Sequence, residues 1–70
     1  IGMSMKSKGK VKWFNRDKGY GLIEQDNGGE DVIVRSSNVQ GGGSLDEGQR
    51  VEYEVHGGAK GLMASDVQPL

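Results

Sequence analysis

The chain reads as all-β, a small barrel or sandwich of five short strands. Three observations lead there. Apolar runs are short and are separated by turn chemistry at close intervals. No stretch repeats apolar residues at three-to-four spacing over three turns, so the helix signal is weak. The 70 residues include 13 glycines but a single proline, Pro69, a composition that supplies many turns.

The first strand, Lys10-Val11-Lys12-Trp13-Phe14, is stopped by Asn15-Arg16-Asp17-Lys18-Gly19. The second, Tyr20-Gly21-Leu22-Ile23-Glu24-Gln25, ends at Asp26-Asn27-Gly28-Gly29, where Asn27-Gly28 is a hairpin signal. Val32-Ile33-Val34-Arg35 is the third. Ser36 to Gln40 reads as one helical turn, and Gln40 to Glu47 as the longest loop, made flexible by Gly41-Gly42-Gly43. The fourth strand, Val51-Glu52-Tyr53-Glu54-Val55, alternates cleanly and stops at Gly57-Gly58. Leu62-Met63-Ala64-Ser65-Asp66-Val67 supplies the fifth. The segment 1–7 is read as a tail and 8–70 as one domain. Ile1-Gly2 reads as a non-native remnant ahead of Met3 and Met5, either of which can start a chain.

Strand faces follow from the two-residue period. Val51, Tyr53 and Val55 face inward, with Glu52 and Glu54 in water. Val11, Ile23, Val32 and Val34 are the other expected core residues. Tyr20, Leu22 and Ile33 fall on the opposite face, with Arg35. The second and third strands are therefore apolar on both sides. A closed barrel has only one interior. An apolar outer face on so small a domain calls for a partner. The competing reading, a layered α/β protein covering both faces, lacks the helices it needs.

Composition excludes several functions. A chain of this size buries only about 60% of its unfolded surface, so its core is thin. There is no cysteine, hence no disulfide and no thiolate metal site. One histidine, His56, is too few for a histidine-based metal centre. It precedes two glycines and reads as a solvated turn residue. No nucleophile has a base suited to it, so catalysis is not expected. Gly19-x-Gly21 meets Glu24 where a nucleotide cradle needs a third glycine, and no helix follows. No cofactor is expected. No apolar run approaches the roughly 20 residues of a membrane span, and no leader is visible. These features point to the cytoplasm.

The formal net charge is −1, but the charges are unevenly spread. Lys6, Lys8, Lys10, Lys12, Arg16 and Lys18 share one stretch with a single acid, Asp17. From residue 36 onward, Arg50 and Lys60 stand against Asp46, Glu47, Glu52, Glu54 and Asp66. The basic end suits phosphates. Charge alone serves equally well for a strand edge that resists aggregation.

Gly9-Lys10-Val11-Lys12-Trp13-Phe14-Asn15, followed by Lys18-Gly19-Tyr20-Gly21-Leu22-Ile23, resembles the opening of a cold-shock domain. In that family the second segment is the first RNA-binding motif. Asp31-Val32-Ile33-Val34-Arg35-Ser36 is similar to the second motif, and Ser44 to Val51 and Gly58-Ala59-Lys60-Gly61 are similar to the family's later loops. The resemblance runs from about Lys8 to the C-terminus. It implies a five-stranded antiparallel OB-fold barrel. It also implies a monomeric RNA chaperone that binds single-stranded RNA or DNA, with bases stacked on the first three strands and lysines along the phosphates.

On that resemblance the binding residues are Lys12, Trp13, Phe14, Lys18, Tyr20, Leu22, Ile33, Arg35, Ser36 and Lys60. Several depart from the family pattern. Leu22 and Ile33 stand where phenylalanines are usual, Arg35 where a histidine is, and Ser36 where the last aromatic is. The long loop is about two residues short and lacks its aromatic. Binding is thus expected to be present but weakened. An aliphatic side chain excludes water without stacking, whereas the Arg35 guanidinium can stack and contact a phosphate together. Plain alternatives stand beside each role. Trp13 and Tyr20 can be barrel-wall residues, Phe14 can pack into the rim, and Lys60 can be merely exposed. The rival function is a divergent or redesigned scaffold whose Leu22–Ile33 patch docks a protein.

Overall fold

A computed structural model describes residues 6–70. It contains β1 (Ser7–Asn15), β2 (Tyr20–Gln25), β3 (Val32–Arg35), a 3-10 turn (Ser36–Asn38), β4 (Arg50–Gly58) and β5 (Gly61–Pro69). The strands close into a barrel in the order β1-β2-β3-β5-β4. Every seam is antiparallel except β3–β5, which is parallel. β1 begins one residue inside the segment read as a tail, where Ser7 pairs with Tyr53. The helical turn expected from Ser36 is confined to Ser36–Asn38. No helix among the described residues is long and apolar enough to cross a membrane.

Six of the seven residues expected inside are buried: Val11, Ile23, Val32, Val34, Val51 and Tyr53. Val39, Leu45, Ala64 and Val67 join them. Val55, expected inside, is half-buried and packs against this cluster. Leu45 arrives from the long loop. The turn behind it is held by Gly48 N–H donating to the Val11 carbonyl at 2.7 Å and Val11 N–H donating to the Gln49 carbonyl at 2.9 Å. The Tyr53 ring fills the barrel, with its hydroxyl 3.4 Å from the Lys8 carbonyl. Burial raises its phenol pKa above the ordinary tyrosine value.

The register of β1 against β2 contains the feature that shapes the outer surface. Val11 pairs with Ile23, yet Trp13 pairs with Leu22. Lys12 is thus an extra residue, a β-bulge. Alternation carries Val11 inward and Lys12 outward. The bulge then turns Trp13 outward as well and brings Phe14 back against the core. Gly21 lies opposite Phe14. A Cβ there would collide with the Trp13 carbonyl oxygen and stand 2.8 Å from Phe14 Cδ2, so glycine is what lets the ring tuck in.

A second bulge lies in β5, between the pairs Glu52–Gln68 and Glu54–Ser65. There Asp66 adopts φ 54°, the sole non-glycine residue with positive φ among those described. Its carboxylate accepts from Gln40 Nε2 and pairs with Lys6 at 3.4 Å. Both contacts lower its pKa below the ordinary carboxylate value, Gln40 more strongly.

Gly9 is the tightest point in the wall. A Cβ there would meet Ile23 Cγ2 and Tyr53 Oη, each at 2.8 Å, as well as the Glu24 carbonyl. Overpacking of this kind costs about 1–3 kcal/mol. We expect Gly9→Ala to lower unfolding stability by that amount in a urea titration. Gly57→Ala, where nothing lies within 4 Å, should cost less than about 0.5 kcal/mol. Equal losses at the two positions would show that the contacts around Gly9 are not what constrains it.

Candidate nucleic-acid interface

The outer face of β1, β2 and β3 is organised by two cross-strand rows. Trp13 pairs with Leu22, and Leu22 with Ile33. One step along the strands, Asn15 pairs with Tyr20, and Tyr20 with Arg35. Trp13 and Tyr20 are 38% and 36% exposed, high for such large rings. They meet edge to face, with centroids 5.4 Å apart and planes at 78°. This geometry suits ring quadrupoles and fixes both rings without covering them. Leu22 and Ile33 are half-buried and lie beside them.

The turn between β1 and β2 carries Lys18 to the end of this face. Asn15 closes the turn twice, through Oδ1 accepting from Lys18 N–H at 3.0 Å and its carbonyl accepting from Gly19 N–H at 2.8 Å. Gly19 takes φ 72°, in the left-handed region that favours glycine. Its carbonyl accepts from Ser36 N–H at 2.9 Å. Ser36 is therefore half-buried against the turn rather than spread on the face. Phe14 is half-buried too, packed on the core cluster. Lys60 is exposed in the β4–β5 turn, apart from the other candidates, which lie on β1–β3 or in the turns directly attached to them.

The cations divide into two groups. Lys12 donates to Asp31 Oδ2 at 2.9 Å, Arg16 to Asp46 at 2.7 Å, and Lys6 lies 3.4 Å from Asp66. Arg50 grips both Asp26 oxygens, at 2.5 and 2.6 Å. The Asp31 hydrogen bond, then its charge, raises the Lys12 pKa. Arg50 likewise holds Asp26 below the usual carboxylate value. Lys8, Lys10, Lys18, Arg35 and Lys60 have no ion pair among the described residues. Arg35 pairs with Tyr20 across β2 and β3, Lys18 lies in the turn two residues before Tyr20, and Lys12 precedes Trp13 on β1. His56, expected as a solvated turn residue, is exposed but lies within β4, its Nε2 2.6 Å from Ser65 Oγ. No group of three or more metal-ligating side chains is found among the described residues.

A small closed barrel with exposed rings, near cations that have no ion pair among the described residues, has the features of an oligonucleotide-binding barrel. Comparison with known proteins identifies the family. The 'Cold-shock' DNA-binding domain matches residues 7–70. Cold shock-like protein CspA of Shewanella violacea is 55% identical over 70 residues, covering 97% of this chain and 100% of that protein. Cold shock-like protein CspE of Escherichia coli K12 is 52% identical over 67 residues, covering 93% and 97%. Cold shock protein CspC of Bacillus subtilis is 53% identical over 62 residues, covering 86% and 92%. A solved structure of drosophila Unr CSD456 shares the fold, with TM-score 0.79 at 16% identity over 96% of this chain and 27% of the other. The chain belongs to the cold-shock family, and it is a nucleic-acid-binding cold-shock protein rather than an enzyme. The protein-docking alternative is not favoured.

The edge-to-face pair should be measurable by itself. A double-mutant cycle on Trp13→Ala and Tyr20→Ala, read by urea unfolding, should return a coupling of about 0.5–1.5 kcal/mol. Additive losses would mean that the two rings do not hold each other in place.

Proposed function

We propose that this chain binds single-stranded RNA or DNA across the outer face of β1–β3 and works as a cytoplasmic, monomeric RNA chaperone. The observation that carries this reading is the pair Trp13 and Tyr20, both exposed and fixed edge to face. Every base has a π-face, so rings held this way accept many sequences, at about 1–3 kcal/mol per stacked base. Lys12, Lys18 and Arg35 supply phosphate contacts, and Lys60 adds one from the β4–β5 turn. Leu22 and Ile33 shield the bases from water without stacking on them. Phe14 packs on the core cluster, and Ser36 anchors the turn that carries Lys18. Two stacking rings and three or four cations make a weak, salt-sensitive site. Such a site suits a chaperone, which must release the strand it opens.

The test is tryptophan fluorescence with a pyrimidine-rich oligonucleotide. Saturation should quench Trp13, and Trp13→Ala should cost about 1–3 kcal/mol of affinity. Affinity should fall as salt rises, by about 0.7 log units per tenfold in salt for each phosphate contact on a single strand. Converting Leu22 and Ile33 together to phenylalanine should strengthen binding by at least about 1 kcal/mol and leave the salt slope unchanged. An unaltered affinity in a folded double variant would mean that bases do not lie on this face.

A further inference from the structure

The row Trp13–Leu22–Ile33 does not stop at β3. β3 runs parallel to β5, and Ile33 pairs there with Met63. Directly paired residues project from the same side of a sheet. Ile33 sits between buried Val32 and Val34, so it points outward. Met63 precedes buried Ala64, so it does too. Leu62 packs against the core cluster, whereas Met63 is half-buried outside it. On its far side Met63 pairs with His56, whose ring is exposed and bonded to Ser65. The apolar strip therefore crosses four strands, from Trp13 on β1 to Met63 on β5, and ends at a polar residue. The turn leading into Met63 carries Lys60, which has no ion pair among the described residues.

We infer that Met63 is a base-contacting residue and that the binding platform is four strands wide. This rests on the reading of the β1–β3 face as the nucleic-acid surface. The chemistry favours a nucleobase as the occupant. A thioether is polarizable, flexible and attracted to the edges and faces of π-systems, so Met63 can cover an unstacked base although no aromatic ring stands at that place. The same placement gives Lys60 its task. A strand crossing from Trp13 toward β5 brings the phosphate beyond the Met63-bound base to the β4–β5 turn. Lys60 is then part of one continuous track rather than an isolated loop lysine.

The experiment is NMR of the full chain with ¹³C-methyl-labelled methionine, titrated with an oligothymidylate of about eight nucleotides while Trp13 emission is followed in the same samples. The Met63 methyl is assigned by its absence from Met63→Leu. Trp13 should quench, and the Met63 methyl should shift with the same saturation curve. Met63→Ala should bind about three- to tenfold more weakly, and Met63→Leu, which keeps the apolar contact, should lose less. Quenching of Trp13 with an unmoved Met63 methyl at saturation would overturn the inference and leave the β1–β3 reading standing. Failure of Trp13 to quench would remove that reading, and the inference with it.

Discussion

The outer surface of this barrel depends on the one extra residue at Lys12. A regular strand alternates sides, so Val11 inside would dictate Trp13 inside. The interior is occupied instead by Tyr53, the largest fully buried side chain, whose hydroxyl lies with Ile23 against Gly9. The bulge resolves the conflict by spending two residues, Lys12 and Trp13, on the outside in succession. A cation and a large ring thus become neighbours on one strand. Phe14 is restored to the inner phase and tucks over the bare backbone of Gly21. The rows Trp13–Leu22–Ile33 and Tyr20–Arg35 then follow from ordinary pairing with β2 and β3.

Electrostatics act on that frame at two levels. Four of the cations are already engaged with carboxylates; three of these pairs tie a residue outside the strands to a strand, and Arg16–Asp46 joins two loops. Arg50 and Asp26, for example, link the start of β4 to the end of β2. The uncommitted cations are the ones a phosphate can take at no internal cost, and two of them adjoin Tyr20, Lys18 in the turn before it and Arg35 paired across from it. Lys12 is intermediate. It is well placed beside Trp13, but a phosphate must compete with Asp31 for it. A net charge of −1 is therefore compatible with binding a polyanion, because the acids at Glu52, Glu54 and Asp66 lie on β4 and β5.

Much of this was legible in the sequence. The clean alternation of Val51, Glu52, Tyr53 and Glu54 marks β4 and its inner face. Apolar residues on both faces of Tyr20–Gln25 and Val32–Arg35 mark an outer surface in need of a partner. The bulge was not legible, because nothing in Lys10-Val11-Lys12-Trp13-Phe14 announces an inserted residue. It was the family resemblance, not periodicity, that set Trp13 and Lys12 on one face. Leu45 and Val39 escaped the expected core because they lie in irregular chain, where no period assigns a side. Met63 escaped the candidate site for a different reason. Its neighbour Ile33 comes from the parallel seam, and pairing between β3 and β5 is long-range information that no local pattern carries.

Amide chemical-shift mapping on titration with a single-stranded oligonucleotide tests the central claim most directly, since it reports every strand at once. The account predicts that the largest shifts fall on Lys12, Trp13, Lys18, Tyr20, Leu22, Ile33 and Arg35, and that the outward residues of β4, Glu52 and Glu54, stay still. Shifts concentrated on β4, with Trp13 and Tyr20 unmoved, would contradict it.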